Sequence, residues 1–265
     1  MGLEKDSFTV TDDGTSRPIK LFDRTDEPVS LGILIDTSAS MGSFEVCQIA
    51  RHQPILDALS TFLQLSNSAN EYFMISFGKK AELLCDWTRD ANVLMSKIPA
   101  FGAKANTALY DALVFGLEKV KTGSHKKRAI LLISDGQDNN SRHKFTDVRN
   151  LLRGSDVLLY SIGILSGGEA VTTLGMEGQG VLLELSELTG GAALFPGDSE
   201  RLNLFADLIA TELRHQYLLA FQYDRSAGPN KWHRLRIKVT PPPNAAPEVK
   251  NLMVRSRQGY YASAN

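Results

Sequence analysis

The sequence predicts an α/β fold, a doubly wound and mostly parallel sheet, with a small antiparallel β annex built from the two ends of the chain. Three observations predict it. Leu31-Gly32-Ile33-Leu34-Ile35 and Ala129-Ile130-Leu131-Leu132-Ile133-Ser134 are short, nearly continuous apolar runs, the pattern of strands covered on both faces. Segments with helical spacing separate such runs, giving the strand and helix alternation of a parallel sheet. Both ends of the chain instead alternate apolar and polar residues around turn signals. With 265 residues, 43% of them hydrophobic and 22% charged, the chain is globular and long enough for one large domain with an annex.

The elements follow in order. Phe8-Thr9-Val10-Thr11 and Pro18-Ile19-Lys20-Leu21-Phe22 flank Asp12-Asp13-Gly14 and read as a hairpin, since Asp-Gly accepts the positive φ of a tight turn. After the first buried strand come a helix over Val46–Leu65, a strand over Tyr72–Phe77 and a returning strand over Ala81–Trp87. Helices are expected over Ala91–Ile98 and Thr107–Val120, a strand over Ala129–Ser134, a helix over Phe145–Leu152 and a strand over Val157–Gly163. The glycine-rich stretch Ser166–Gly180 reads as a mobile loop. A helix over Leu182–Leu188, a short strand over Ala192–Phe195 and a helix over Glu200–Arg214 complete this part. Tyr217–Tyr223, Trp232–Thr240 and Leu252–Ser256 are β-rich and are expected to join the N-terminal hairpin in one small sheet. The resulting divisions are 1–27, 28–214 and 215–265.

Composition narrows the function. Lys and Arg number 29 against 30 Asp and Glu, a formal charge of −1, which offers no electrostatic footprint for nucleic acid. No apolar run approaches the ~20 residues of a membrane span, so membrane insertion is not expected, and Met1–Lys5 lacks the basic-then-apolar start of a signal peptide. Cys47 and Cys85 are too few for a disulfide scaffold or a thiolate zinc site and read as small buried hydrophobes. No P-loop, GxSxG or HExxH spacing occurs, so nucleotide hydrolysis, α/β-hydrolase chemistry and catalytic zinc have no motif.

The chemistry-bearing residues follow the first buried strand: Asp36-Thr37-Ser38-Ala39-Ser40-Met41-Gly42. In an open parallel sheet, ligands bind beyond the carboxyl ends of the strands, where Asp36 sits. A carboxylate followed by hydroxyls two and four positions on puts three hard oxygens in one loop, which suits Mg²⁺, Mn²⁺ or Ca²⁺. Thr107 stands at the start of a helix and Asp135 at the end of a second buried strand. If the two strands are neighbours, all five groups converge on one ion. Taken singly, Ser38, Ser40 and Thr107 also suit helix N-caps, and Asp135 suits a turn before Gly136. Asp138, Asn139 and Asn140 follow and are expected to line the rim, with Asn106 and Asp138 as partner contacts; the alternative is a polar loop leading into the helix at Phe145.

These motifs resemble the von Willebrand factor type A domain. Asp36-Thr37-Ser38-Ala39-Ser40 matches its DxSxS signature, and Thr107 and Asp135 match its second and third metal-ligand loops. The resemblance covers residues 28–214, and the flanks Leu3–Gly14, Gln216-Tyr217-Leu218-Leu219 and Arg257–Ala262 resemble bacterial, acidobacterial-type relatives with a β-rich surround. It implies a Rossmann-like fold and a metal-ion-dependent adhesion site. There Ser38, Ser40 and Thr107 offer hydroxyls, and Asp36 and Asp135 act directly or through water. The implied cofactor is Mg²⁺, or Mn²⁺ or Ca²⁺; the implied partner is a protein presenting Asp or Glu; the implied location is extracytoplasmic, with the cytoplasm as alternative. Ala39 and Asn106 stand where relatives often carry Gly, changes that metal binding should survive. The implied function is non-enzymatic binding. Two alternatives are a metal-assisted phosphoester hydrolase and a structural assembly unit with a vestigial metal site.

Overall fold

A computed structural model describes residues 3–24, 26–39, 41, 53–98, 106–165, 171–222, 231–242 and 252–262. Its centre is a six-stranded sheet of β4 (Val29–Asp36), β5 (Glu71–Phe77), β6 (Ala81–Thr88), β7 (Lys127–Ser134), β8 (Leu158–Gly163) and β9 (Ala193–Leu194), in the order β6-β5-β4-β7-β8-β9. All pairings are parallel except β5 with β6. Every residue of β4 and β5 is buried, so their apolar runs follow from helices covering both faces. The chain leaves β4 toward β5 and later returns to its other side at β7, which makes the carboxyl ends of β4 and β7 the topological switch point.

Alternation along β4 divides the core. Val29, Leu31, Ile33 and Ile35 face α1 (Gln53–Leu65) and α6 (Ser199–Arg214), where Phe62, Leu59, Leu202 and Ala206 complete one apolar layer. Leu34 and its neighbours Phe73, Ile75, Ile130 and Leu132 face α3 (Leu109–Val120), α4 (Phe145–Arg153) and α5 (Thr173–Thr189) on the other side. A short α2 (Ala91–Met95) follows β6, capped by the Asp90 side chain on Asn92 N–H. The expected helix from Val46 begins, among the described residues, at Gln53. Cys85 is buried and unbridged; Cys47 lies outside the described residues.

The chain ends form two antiparallel sheets rather than the one expected. β1 (Phe8–Asp12) turns through Asp13 (φ 47°) and Gly14 (φ 84°) into β2 (Thr15–Arg17). Pro18, which lacks an N–H, breaks the hairpin there, and β3 (Ile19–Asp23) pairs instead with β10 (Leu218–Phe221). The larger sheet has the order β12-β11-β1-β2, with β11 (Trp232–Val239) antiparallel to β1 over all five residues of β1. The closing strand β12 is Gly259–Tyr261, not Leu252–Ser256. Residues 252–258 run irregularly across the α/β body, held by the Arg255 ion pair to Glu212 and by the Arg257 guanidinium on the Ser155 carbonyl. Phe8, Phe22 and Tyr217, with ring centroids 5.0 to 5.7 Å apart, join the two sheets.

The glycine-rich stretch is the clearest departure from expectation. From Thr173 onward it is α5, not a mobile loop, capped by the Thr172 hydroxyl accepting from Gly175 N–H at 3.0 Å; residues 166–170 lie outside the description. Gly178 is buried in that helix and lies against the loop after β7, where an added methyl would stand 2.4 Å from the Asp135 carbonyl oxygen. Tertiary contact thus overrides the low helix propensity of glycine.

Candidate metal centre

Register along the central strands assembles the site. Ile35 lies opposite Ile133, which sets Asp36 beside Ser134 at the carboxyl ends of β4 and β7. Both are fully buried. Asp36 Oδ1 accepts from Ser38 N–H at 2.8 Å, and Asp36 Oδ2 accepts from the Ser134 hydroxyl at 2.7 Å. That hydroxyl in turn accepts from Gly136 N–H at 3.1 Å. Thr37 closes the other side, its N–H and its hydroxyl both donating to the Phe77 carbonyl at 2.7 and 2.8 Å. Ser38 is buried and its hydroxyl helps hold the Asp36 carboxylate. Ser40 lies outside the described residues.

Asp135 is 1% exposed, and its Oδ1 accepts from Gln137 N–H at 2.9 Å. The Asp36 carboxyl is pushed up to about 7, first by burial and then by the negative charge of Asp135; hydrogen bonds from Ser38 and Ser134 partly offset this. Two carboxylates in one buried crevice resist ionising together. Gly136, at φ 82°, turns the chain away, and a methyl on it would meet the Gly178 carbonyl at 2.3 Å. α5 thereby walls the crevice.

Thr107 is 3% exposed. Its backbone is fixed from two sides: the next residue, Ala108, donates its N–H to the Gly78 carbonyl at 2.7 Å, and the Thr107 carbonyl accepts from Asn139 and Asn140 N–H at 3.0 Å. The N-cap position of α3 is Ala108, with no side-chain cap, and among the described residues no hydrogen bond engages the Thr107 hydroxyl. The capping alternative therefore does not account for this threonine. For Asp135 the turn alternative does hold, through Gln137, while its charge still reaches Asp36.

The polar run after Asp135 is an interlock. Asp138 Oδ1 accepts from Tyr110 N–H at 3.3 Å and from the Ser141 hydroxyl at 2.5 Å. Asp111 accepts from the backbone N–H groups of Arg142 and His143 and lies 2.7 Å from His143 Nδ1. Asn106 donates from Nδ2 to Asn140 Oδ1 at 3.2 Å. Asp138 and Asn106, expected at the rim, thus bind the loop before α3 to the loop after β7. Sequence reasoning missed Ser134, whose hydroxyl hides inside an apolar strand; its place directly before Asp135 was the available signal.

Among the described residues, one His and Asp group is close enough to hold an ion: Asp12, Asp13 and His233, in the annex. His233 Nδ1 is 3.1 Å from Asp12 Oδ1 and 3.2 Å from Asp13 Oδ2, and Arg17 Nε is 3.3 Å from Asp12 Oδ2. Arg17 already serves Asp12 as a cation, and the Asp12, Asp13 and His233 trio latches the β1–β2 turn onto β11.

Comparison with known proteins agrees with this architecture. Residues 31–137 match the family model described as von Willebrand factor type A domain. An uncharacterized protein of Borreliella burgdorferi is 27% identical over 175 residues, 60% of this chain and 51% of that protein. The chain thus spans about half the length of the curated relative it matches. Among solved structures, the conserved hypothetical protein BatB from Bacteroides thetaiotaomicron superposes with a TM-score of 0.54 at 18% identity, over 70% of this chain and 98% of that one. The von Willebrand factor type A protein from Catenulispora acidiphila gives 0.57 at 12%, over 80% and 52%. The vWF domain of the type V pili tip protein Mfa5 from Porphyromonas gingivalis gives 0.55 at 14%, over 72% and 98%. At these identities the structural likeness shows the fold. The matched residues run from β4 through the Thr107 loop to the loop after β7, so this segment of the chain is similar to the von Willebrand factor type A domain and the α/β body shares its fold.

Proposed function

We propose that the chain is a non-enzymatic, divalent-cation-dependent protein-binding module for adhesion or assembly. Asp36, Ser38, Ser40, Thr107 and Asp135 would hold Mg²⁺, Mn²⁺ or Ca²⁺. The observation that carries this reading is the buried Asp36 carboxyl, held up by its own burial and by Asp135 at the meeting point of two parallel strands. The donor set fits a hard cation: it offers oxygens alone, and Thr107 keeps a hydroxyl uncommitted among the described residues. When bound, such an ion supplies positive charge and a coordination position for an Asp or Glu side chain of a protein partner. The chain's own residues orient that position: Ser134 and Ser38 aim Asp36, the Phe77 carbonyl fixes Thr37, and α5 shields the Asp135 side from water.

The division into a body over 28–214 and an annex from 1–27 and 215–265 is part of the same proposal, with the annex as a frame around the body. Solved structures that share the fold include the pili tip protein Mfa5 and an aerotolerance-related membrane protein from Bacteroides fragilis, the latter with a TM-score of 0.54 at 20% identity over 70% of this chain and 98% of that one, which supports reading the setting as extracytoplasmic. No helix among the described residues is long and apolar enough to cross a membrane, and membrane insertion is not proposed. The test is calorimetry with Mn²⁺ and Mg²⁺ on the wild type and Asp36→Ala, followed by capture of carboxylate-bearing peptides with and without EDTA. Binding by the wild type alone, and capture lost in EDTA, is the expected result. Equal or absent metal uptake by both chains overturns the proposal.

A further inference from the structure

We infer that Asn139 is a positioning residue that holds Thr107 in register with the loop after β7; the inference rests on the cation reading above and deepens it. The Thr107 peptide is buried, so both of its backbone polar groups need partners. One residue serves both. Asn139 Oδ1 accepts from Thr107 N–H at 2.9 Å, and Asn139 N–H donates to the Thr107 carbonyl at 3.0 Å. This reciprocal pair bridges 32 positions of sequence and joins the two loops that carry Thr107 and Asp135.

The surroundings keep the pair in place. Asn140 N–H donates to the same Thr107 carbonyl, and Asn140 Nδ2 donates to the Lys79 carbonyl at 2.7 Å, tying the interlock to the turn after β5. Asp138 and Asp111 lock the flanks. Asn139 stands apart from these in having an exposed side chain that reaches inward with one atom. A change there leaves the core untouched, and its own N–H keeps the Thr107 carbonyl satisfied. What is lost is the acceptor for the Thr107 N–H, and with it the orientation of the hydroxyl on that residue. The match to the family ends at residue 137, two positions short of Asn139, so the residue that serves Thr107 lies beyond the matched segment while Thr107 lies within it.

The test uses the full chain as wild type, Asn139→Leu and Asn139→Asp. Leu keeps the size and removes the acceptor; Asp restores an acceptor oxygen. Thr107 amide exchange should accelerate about tenfold in Asn139→Leu and stay near wild type in Asn139→Asp. Mn²⁺ affinity, read by the electron paramagnetic resonance of free and bound ion, should fall about tenfold in Asn139→Leu and return to within about threefold in Asn139→Asp. The melting temperature in EDTA should fall by a few degrees in Asn139→Leu, because the buried Thr107 N–H loses its acceptor, and recover in Asn139→Asp; the loss of Mn²⁺ affinity in chains that are still fully folded is the readout a merely structural role would not move. If Asn139→Leu matches the wild type in exchange and in Mn²⁺ affinity, or Asn139→Asp is as impaired as Asn139→Leu, the positioning role is overturned. A wild type that takes up no Mn²⁺ overturns the cation reading and the positioning role together.

Discussion

Two alanine substitutions, two residues apart on α5, should move stability in opposite directions. A methyl group on Gly178 would stand 2.4 Å from the Asp135 carbonyl oxygen and 3.3 Å from the Gly136 carbonyl carbon, whereas one on Gly180 meets nothing within 4 Å. Both neighbours of Gly178 are backbone, so no rotamer change relieves the contact and the helix must retreat by about 1 Å to restore ordinary separation. Overpacking of this kind costs about 1–3 kcal/mol, against which alanine returns up to ~1 kcal/mol of helix propensity. Gly178→Ala should therefore lose about 1–2 kcal/mol, and Gly180→Ala should gain about 0.5–1 kcal/mol. Urea unfolding of the two variants beside the wild type measures the difference directly. Equal midpoints, or a Gly178→Ala chain more stable than the wild type, would refute the seating of α5 on the Asp135 loop.

Three further outcomes are expected. Ser134→Ala strips a donor from buried Asp36 and an acceptor from Gly136 N–H, and should lower stability by about 1–3 kcal/mol; an unchanged thermal melt would show the bridge to be idle. In EDTA, stability should fall as pH rises from about 4 to 7, because the folded chain resists ionising Asp36, whose carboxyl sits at about 7 instead of 3.8. Chemical denaturation should show a loss on the order of 4 kcal/mol across that window, absent in Asp36→Asn. His233→Phe should speed amide exchange in β1 and β11 by releasing the Asp12 and Asp13 latch, while Mn²⁺ uptake stays at the wild-type level; a parallel loss of uptake would contradict the separation of the latch from the site.

Much of the body was legible because burial on both faces writes itself into composition. Leu31–Ile35 and Ala129–Ile133 had to be inner parallel strands, and that placed Asp36 and Asp135 at their ends without further information. Elements that depend on distant contact were harder to read. The first half of the helix over Thr173–Thr189, as far as Gly180, looks like a loop in isolation, because the reason for Gly178 is a carbonyl more than forty positions earlier. Pro18 hid a change of partner: the residues after it leave β2 for β10, a choice made by the Phe8, Phe22 and Tyr217 rings and not by local spacing. The closing strand was misplaced for the same reason. Leu252–Val254 has strand composition, yet Gly259–Tyr261 pairs with β11, where Tyr261 packs on Trp232 with centroids 5.1 Å apart. At the site, the Asp138 to Ser141 run carries no periodicity, so its grip on Thr107 became visible only with the loops side by side.

The pairing of β1 with β11 and of β3 with β10 sets an order on biosynthesis. β1 and β3 leave the ribosome ahead of the central sheet and find their partners only after some two hundred further residues have been translated, while the central sheet can condense as it is made. Until then β1 and β3 wait with open backbone edges, a state vulnerable to pairing with a neighbouring nascent chain. Slow, late closure of the frame around an already folded body is the kinetic signature this topology carries.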